Sequence, residues 1–138
     1  MRIVATTGVI NDAPTLLRAA MKRILVIDDE EGMRDVFYRL LSNEGYVVET
    51  ARDGNEGLDK VKKRQFDLSF IDVRMPELNG LETFLQIKKL QPDIKAFLIS
   101  GYAVDSLVEK AVHEGALGCI RKPSGIRDVV RIVKKIVG

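Results

Sequence analysis

From Lys22 onward, short apolar runs alternate with segments whose apolar residues recur at helical spacing. This alternation predicts repeated βα units around a parallel sheet. Residues 24–27 (Ile-Leu-Val-Ile) form the first predicted strand, and Met33, Val36, Phe37, Leu40 and Leu41 mark the apolar face of a helix that Gly45 stops. Residues 46–51 read as the second strand, and Gly54 opens a short helix carrying Leu58 and Val61. Leu68–Asp72 is the third strand. A turn through Pro76 and Asn79-Gly80 leads to a helix bearing Leu81, Phe84 and Leu85, which Pro92 ends. Residues 96–100 are the fourth strand, and Val104, Leu107, Val108, Ala111 and Val112 stripe the helix after it. Gly118–Arg121 is a short fifth strand. The closing helix is expected to bury Ile126, Val129, Val130, Val133 and Val137, with Arg127, Arg131, Lys134 and Lys135 outward. Five such repeats predict an α/β fold, a doubly wound (βα)5 with a five-stranded parallel sheet covered on both faces.

The residues that close these runs carry the chemistry. Asp28 and Asp29 follow the first strand, Asp72 the third, Ser100 the fourth, and Lys122, next to Pro123, the fifth. In open α/β sheets ligands bind beyond the carboxyl ends of the strands, which places all five residues at one edge. Clustered carboxylates tolerate one another only with a proton or a cation among them, and hard oxygen donors select Mg²⁺. The expected ligands are Asp29 and Asp72 directly, Asp28 through water, and the backbone carbonyl of Arg74. A carboxylate can attack phosphorus to give an acyl phosphate, and a lysine offsets charge on the phosphoryl oxygens. Asp72 is therefore the expected phosphoacceptor, with Ser100 and Lys122 toward the phosphoryl group. Alone, Asp28-Asp29 has an ordinary explanation as helix-capping residues. The combination across four strands has none.

Composition narrows the alternatives. The 138 residues are 46% apolar and 30% charged, with net charge +2 and both signs mixed along the chain. That is an ordinary globule in which nothing points to direct nucleic-acid contact or an anionic membrane. The lone Cys119 cannot form an internal disulfide and fits a reducing, cytoplasmic compartment. One histidine, His113, beside one cysteine is too little for a zinc site or Cys/His catalysis, and His113 is expected to be solvated. Lys134 and Lys135 read as a solvated helix face, and no P-loop is present. Residues 1–20 do not fit the repeat. They read as an N-terminal extension, either an upstream reading-frame product before Met21 or a genuine arm, and a mobile tail and a docked arm both stay open. Asp12-Ala13-Pro14 suits the start of a helical turn there.

Ile-Asp28-Asp29-Glu, Asp72-Val-Arg-Met75-Pro76, Asn79-Gly80, Ser100-Gly101-Tyr102 and Lys122-Pro123 resemble, in order and spacing, the receiver domain of two-component response regulators, including chemotaxis regulators. The resemblance spans residues 21–138. It implies the flavodoxin-like strand order 2-1-3-4-5 and transfer of a phosphoryl group to Asp72 from a sensor histidine kinase or phosphotransfer protein. It further implies slow self-catalysed dephosphorylation, a Lys-Pro peptide that is often cis, and signalling through contacts with a downstream protein. The oligomeric state is left open, a homodimer included. With the sequence ending at Gly138, the expectation is a receiver that acts without an attached output domain.

Two positions depart from the family pattern. Cys119 stands where an aromatic residue usually swings inward, and Ser124 where Phe often follows Lys-Pro. A thiol neither fills an aromatic's volume nor bonds as tyrosine does, so the acceptor chemistry is expected to be intact while the usual readout is in question. Two alternatives stand beside this reading. One is a Mg²⁺-dependent phosphohydrolase or phosphotransferase with Asp72 as nucleophile, and the other a binding module independent of phosphorylation. The first wants a general acid/base two residues beyond the nucleophile, where Arg74 stands.

Overall fold

β1 (Arg23–Ile27), β3 (Leu68–Asp72) and β4 (Lys95–Ser100) are almost wholly buried, as near-continuous apolar runs in a parallel sheet should be. The computed structural model describes residues 21–102 and 105–138. β2 (Val47–Ala51) and β5 (Gly118–Arg121) complete one parallel sheet in the order β2-β1-β3-β4-β5. Five helices connect or follow the strands: α1 (Glu31–Ser42), α2 (Gly54–Lys63), α3 (Gly80–Leu90), α4 (Ser106–His113) and α5 (Val129–Val137).

Alternate strand residues serve opposite layers, because side chains on a strand have a period of two. Leu25, Ile27, Ile71 and Leu98 meet Leu58 and Val61 of α2, Phe84 and Ile87 of α3 and Ala111 of α4. Ile24, Val26, Phe70 and Ile99 meet Phe37 and Leu41 of α1 and Val129 and Val133 of α5. On that second face Phe70 packs against Phe37 and Phe97, with ring centroids 5.1 and 5.9 Å away. Strand order reverses at β1, which pairs with β2 on one side and β3 on the other. A crevice opens between the carboxyl ends of β1 and β3, where Asp28 and Asp72 stand.

The opposite edge is tied by one amide. The buried Gln91 caps α3, and its Nε2 donates to Val61 O at 2.8 Å and Arg64 O at 2.7 Å, while its Oε1 accepts the Phe66 N–H at 2.9 Å. Nearby, Asp67 accepts the Arg23 N–H through its carboxylate at 2.8 Å.

Several boundaries differ from the sequence reading. Tyr46 is not in β2, because its N–H bonds Leu41 O at the end of α1 instead of joining the sheet. Val36 and Val112 are 41% and 44% exposed, since adjacent helical positions point about 100° apart and Phe37 and Ala111 take the inward directions. Ile126 lies in a 3₁₀ turn, Ser124–Asp128, and α5 begins only at Val129. Ser124-Gly125 is weak helix-forming sequence, and it follows a cis Lys122-Pro123 peptide. α4 starts at Ser106 with Asp105 as its cap. Val104 and the turn expected at residues 12–14 lie outside the described residues.

Candidate functional site

The loop after β1 divides the work of one carboxylate. Asp28 is fully buried, and its Oδ1 accepts the Glu30 N–H at 2.9 Å, the capping use that an acid at a strand-to-helix turn ordinarily has. Its Oδ2 is different. It accepts no hydrogen bond among the described residues, and faces the Lys122 ammonium in an ion contact at 3.0 Å. Asp29 is exposed beside it, and Asp72 ends β3 with 4% exposure. One carboxylate oxygen from each of the three lies within 4.8 Å of the others.

The approach of Asp72 to this cluster depends on Gly80. The first turn of α3 returns so close to the end of β3 that the Gly80 N–H donates to Val73 O at 2.8 Å. A Cβ there would stand 2.5 Å from Asp72 O and 2.7 Å from Val73 Cα. Asn79 fixes the same corner through a capping box, accepting the Glu82 N–H at 2.9 Å while Glu82 accepts the Asn79 N–H at 3.0 Å.

Charge crowding follows from this geometry. Burial, and then the neighbouring Asp28 charge, push Asp72 up to about 8 despite the opposing pull of Lys122. Burial likewise raises Asp28. Burial alone would lower Lys122, but its bond to Glu30, its ion contact with Asp28 and the charge of Asp72 outweigh that and hold the ammonium above the usual lysine range. Its Nζ lies 2.8 Å from Glu30 Oε1 and 3.5 Å from Asp72 Oδ2. The donor set fits a hard divalent cation: three carboxylates, one of them with a buried oxygen that lacks a hydrogen bond. A cavity of about 480 Å³ opens over Asp72, walled by Asp29, Glu30, Arg74, Tyr102 and Lys122. A groove of about 510 Å³ lies at the other edge, around Phe66 and Gln91 and away from this cluster.

Asp28, Asp29, Asp72 and Lys122 are thus brought together. Ser100 stands at the same edge, at the end of β4, but its hydroxyl is used locally: Oγ accepts the Tyr102 N–H at 3.1 Å and faces Asp105 Oδ2 at 3.5 Å. The Arg74 side chain turns to Asp105, with Nη2 and Nε donating at 3.0 and 3.2 Å. Its guanidinium lies over the Tyr102 ring, 5.6 Å from the centroid. His113 is exposed, and the Cys119 thiol is partly buried and pushed up, mainly by burial. Two residues of the site escaped the sequence reading. Glu30 was visible only as part of a motif, and Asp105 carried the signal of a helix cap, an acid directly before Ser106 and the apolar stripe.

A doubly wound sheet with three acids and a lysine at its switch point is the architecture of a phosphoryl-accepting signalling domain. The chain belongs to the response regulator receiver domain family, whose model matches residues 24–134. Receiver domains are signalling phosphoacceptors that interact with histidine kinases and phosphotransfer proteins. The chain is 40% identical over 101 residues to the transcriptional regulatory protein ZraR of Klebsiella oxytoca, covering 72% of this chain but only 23% of ZraR. It is 32% identical over 116 residues to the chemotaxis protein CheY of Thermotoga maritima, covering 83% of this chain and 97% of CheY. Among solved structures it is similar to the response regulator TrrA of Thermotoga maritima in complex with Mg²⁺ and BeF, at 33% identity and a TM-score of 0.75, covering 85% of this chain and all of TrrA (100%). Among the described residues, no helix is long and apolar enough to cross a membrane.

Proposed function

We propose that Asp72 is the phosphoacceptor of a cytoplasmic signalling protein, charged by the phosphohistidine of a sensor kinase or phosphotransfer protein. The convergence of Asp28, Asp29 and Asp72 within 4.8 Å, with Lys122 against two of them, carries this reading. An Asp72 carboxylate oxygen attacks phosphorus, the phosphorus–nitrogen bond to the donor imidazole breaks, and that imidazole takes up a proton. Lys122 offsets charge on the phosphoryl oxygens as a point cation, and Ser100 donates its hydroxyl to one of them. Asp28, Asp29, Asp72 and the backbone carbonyl of Arg74 would hold Mg²⁺. When bound, the ion lowers the repulsion between the carboxylates and an incoming phosphate dianion. The Mg²⁺ and BeF bound by TrrA support this choice of ion and ligand.

Phosphorylated protein then signals to a downstream protein partner and loses its phosphoryl group by slow self-catalysed hydrolysis. A hydrolase turning over small substrates finds no support. The position two beyond Asp72 holds Arg74, whose guanidinium is committed to Asp105 rather than free to move protons. Intact mass before and after acetyl phosphate is the test. The chain should gain one phosphoryl group with Mg²⁺ present and none in EDTA or in Asp72→Asn. Full labelling in EDTA would reject the assignment.

A further inference from the structure

The proposed chemistry leaves one buried charge without a role. Asp105 has a side chain only 1% exposed and stands five residues beyond Ser100. Capping α4 requires one oxygen for one N–H, and Oδ1 meets that need by accepting Leu107 N–H at 2.9 Å. Both oxygens do more than this. Oδ1 also accepts Arg74 Nη2, and Oδ2 accepts Arg74 Nε and faces the Ser100 hydroxyl at 3.5 Å. Ser100 in turn holds the Tyr102 N–H, and Tyr102 lies under the Arg74 guanidinium. The loop after β3 and the loop after β4 are thereby joined through one carboxylate.

We propose that Asp105 is a positioning residue that holds Ser100 and Arg74 in the resting arrangement and so sets how readily the phosphorylated arrangement forms. This rests on the phosphoacceptor reading and extends it to a residue outside the acceptor set. A serine hydroxyl carries one proton to donate. In the resting protein the hydroxyl oxygen faces Asp105 Oδ2 across a long contact of 3.5 Å. Once the proton is donated to a phosphoryl oxygen, the buried carboxylate loses that donor, and a buried acceptor that loses a partner opposes the change. The bidentate Arg74 keeps the carboxylate in place meanwhile, so the opposition persists instead of relaxing away. A two-state shift requires contacts that differ between the states, and the Ser100 hydroxyl has a different partner in each.

Asp105→Asn and Asp105→Ser both retain a helix-capping side chain and remove the charge. Full-length protein and the two variants would be titrated with beryllofluoride and Mg²⁺ and followed by ¹⁹F and ¹H–¹⁵N NMR. The variants should bind the phosphate mimic about threefold or more tightly, the gain expected from losing one modest hydrogen-bonded contact of the resting state. Without the mimic, their Tyr102 amide should already lie partway toward its mimic-bound shift. In a Ser100→Ala background the gain from removing Asp105 should vanish. Persistence of the gain there would mark a general effect of charge and overturn the inference. Lower thermal stability with unchanged mimic affinity would do the same, leaving Asp105 a helix cap. If the parent protein binds the mimic and the variants match it, this inference alone falls. If the parent binds none, the phosphoacceptor reading falls with it.

Discussion

Lys122 and Glu30 are 92 positions apart in sequence and 2.8 Å apart in space. Glu30 is exposed while the lysine is largely enclosed, so the ammonium is shared between a carboxylate at the rim and the two acids beneath it. Removing that cation leaves the buried Asp28 carboxylate without its counter-charge. Lys122→Ala should lower metal-free stability by about 2 kcal/mol near neutral pH, since an unpaired buried charge is costly. Added Mg²⁺ should restore much of it. Urea unfolding with and without the ion measures both, and Mg²⁺ binding lost along with the lysine would show that it acts on the metal rather than on the phosphoryl group.

The raised Asp72 makes metal binding depend on pH. Its folded value of about 8 exceeds the ordinary 3.8, so the stability contributed by the protonated form is complete below about 4 and lost as pH rises through 8. Metal-free protein should therefore weaken at this residue over that span, and Mg²⁺ affinity should climb over the same range as the ion displaces the proton. Calorimetry in two buffers of different ionisation enthalpy should detect proton release at pH 7. Asp72→Asn should raise the melting temperature in EDTA at pH 8. A lower melting temperature would contradict the crowding.

Arg74 and Tyr102 form one wall of the cavity over Asp72, stacked on each other. Bulky side chains there would screen an acyl phosphate on Asp72 from part of the water entering the cavity. Arg74→Ala or Tyr102→Ala should shorten the lifetime of phosphorylated protein by about threefold, a barrier change below 1 kcal/mol. Decay of radiolabelled protein in Mg²⁺ measures it, and unchanged rates in both variants would remove the screening role.

Gly80 has no room for a side chain. Gly80→Ala should destabilise the fold by about 2 kcal/mol, because the added methyl meets the backbone of Asp72 and Val73, which cannot turn aside as a side chain would. Phosphoryl uptake should fall as well, since the strain is applied at the acceptor. Retained uptake at unchanged stability would refute the close approach.

The five strands, the centre of each helix's apolar stripe and the clustering of Asp28, Asp29 and Asp72 at one edge were legible in the sequence because each rests on a local pattern. Runs of Ile, Leu, Val and Phe close on a polar residue, and parallel topology then puts those residues at one edge. The strand order itself came from the resemblance to receiver domains, and the sheet has it. What stayed hidden depends on side chains meeting across loops. Nothing in the spacing of Arg74 and Asp105 announces that they pair, and Ser100, placed correctly at the edge, turns out to bond within its own loop. Asn79-Gly80 read as a turn signal, whereas Gly80 is also required by backbone contact with β3. Val36 and Val112 fit a helical stripe and still face outward, because a stripe has a centre and edges that periodicity alone does not rank.

Gln91 closes three bonds around one buried amide at the end of the sheet away from Asp72. Opening any one of the segments it holds, after Val61, at Phe66 or at its own turn, would strand a polar group of the others in the interior. Those segments therefore come apart together or not at all. The loops beyond β3 and β4 are tied by Asp105 instead, but through an Arg74 side chain that is half exposed and a Ser100 contact of 3.5 Å, so they can open locally. Amide hydrogens around Gln91 should consequently exchange only through global unfolding, while those around Ser100 and Tyr102 exchange through small local openings. Durability and responsiveness reside at opposite ends of the same five strands, so selection can retune the signal without loosening the body that carries it.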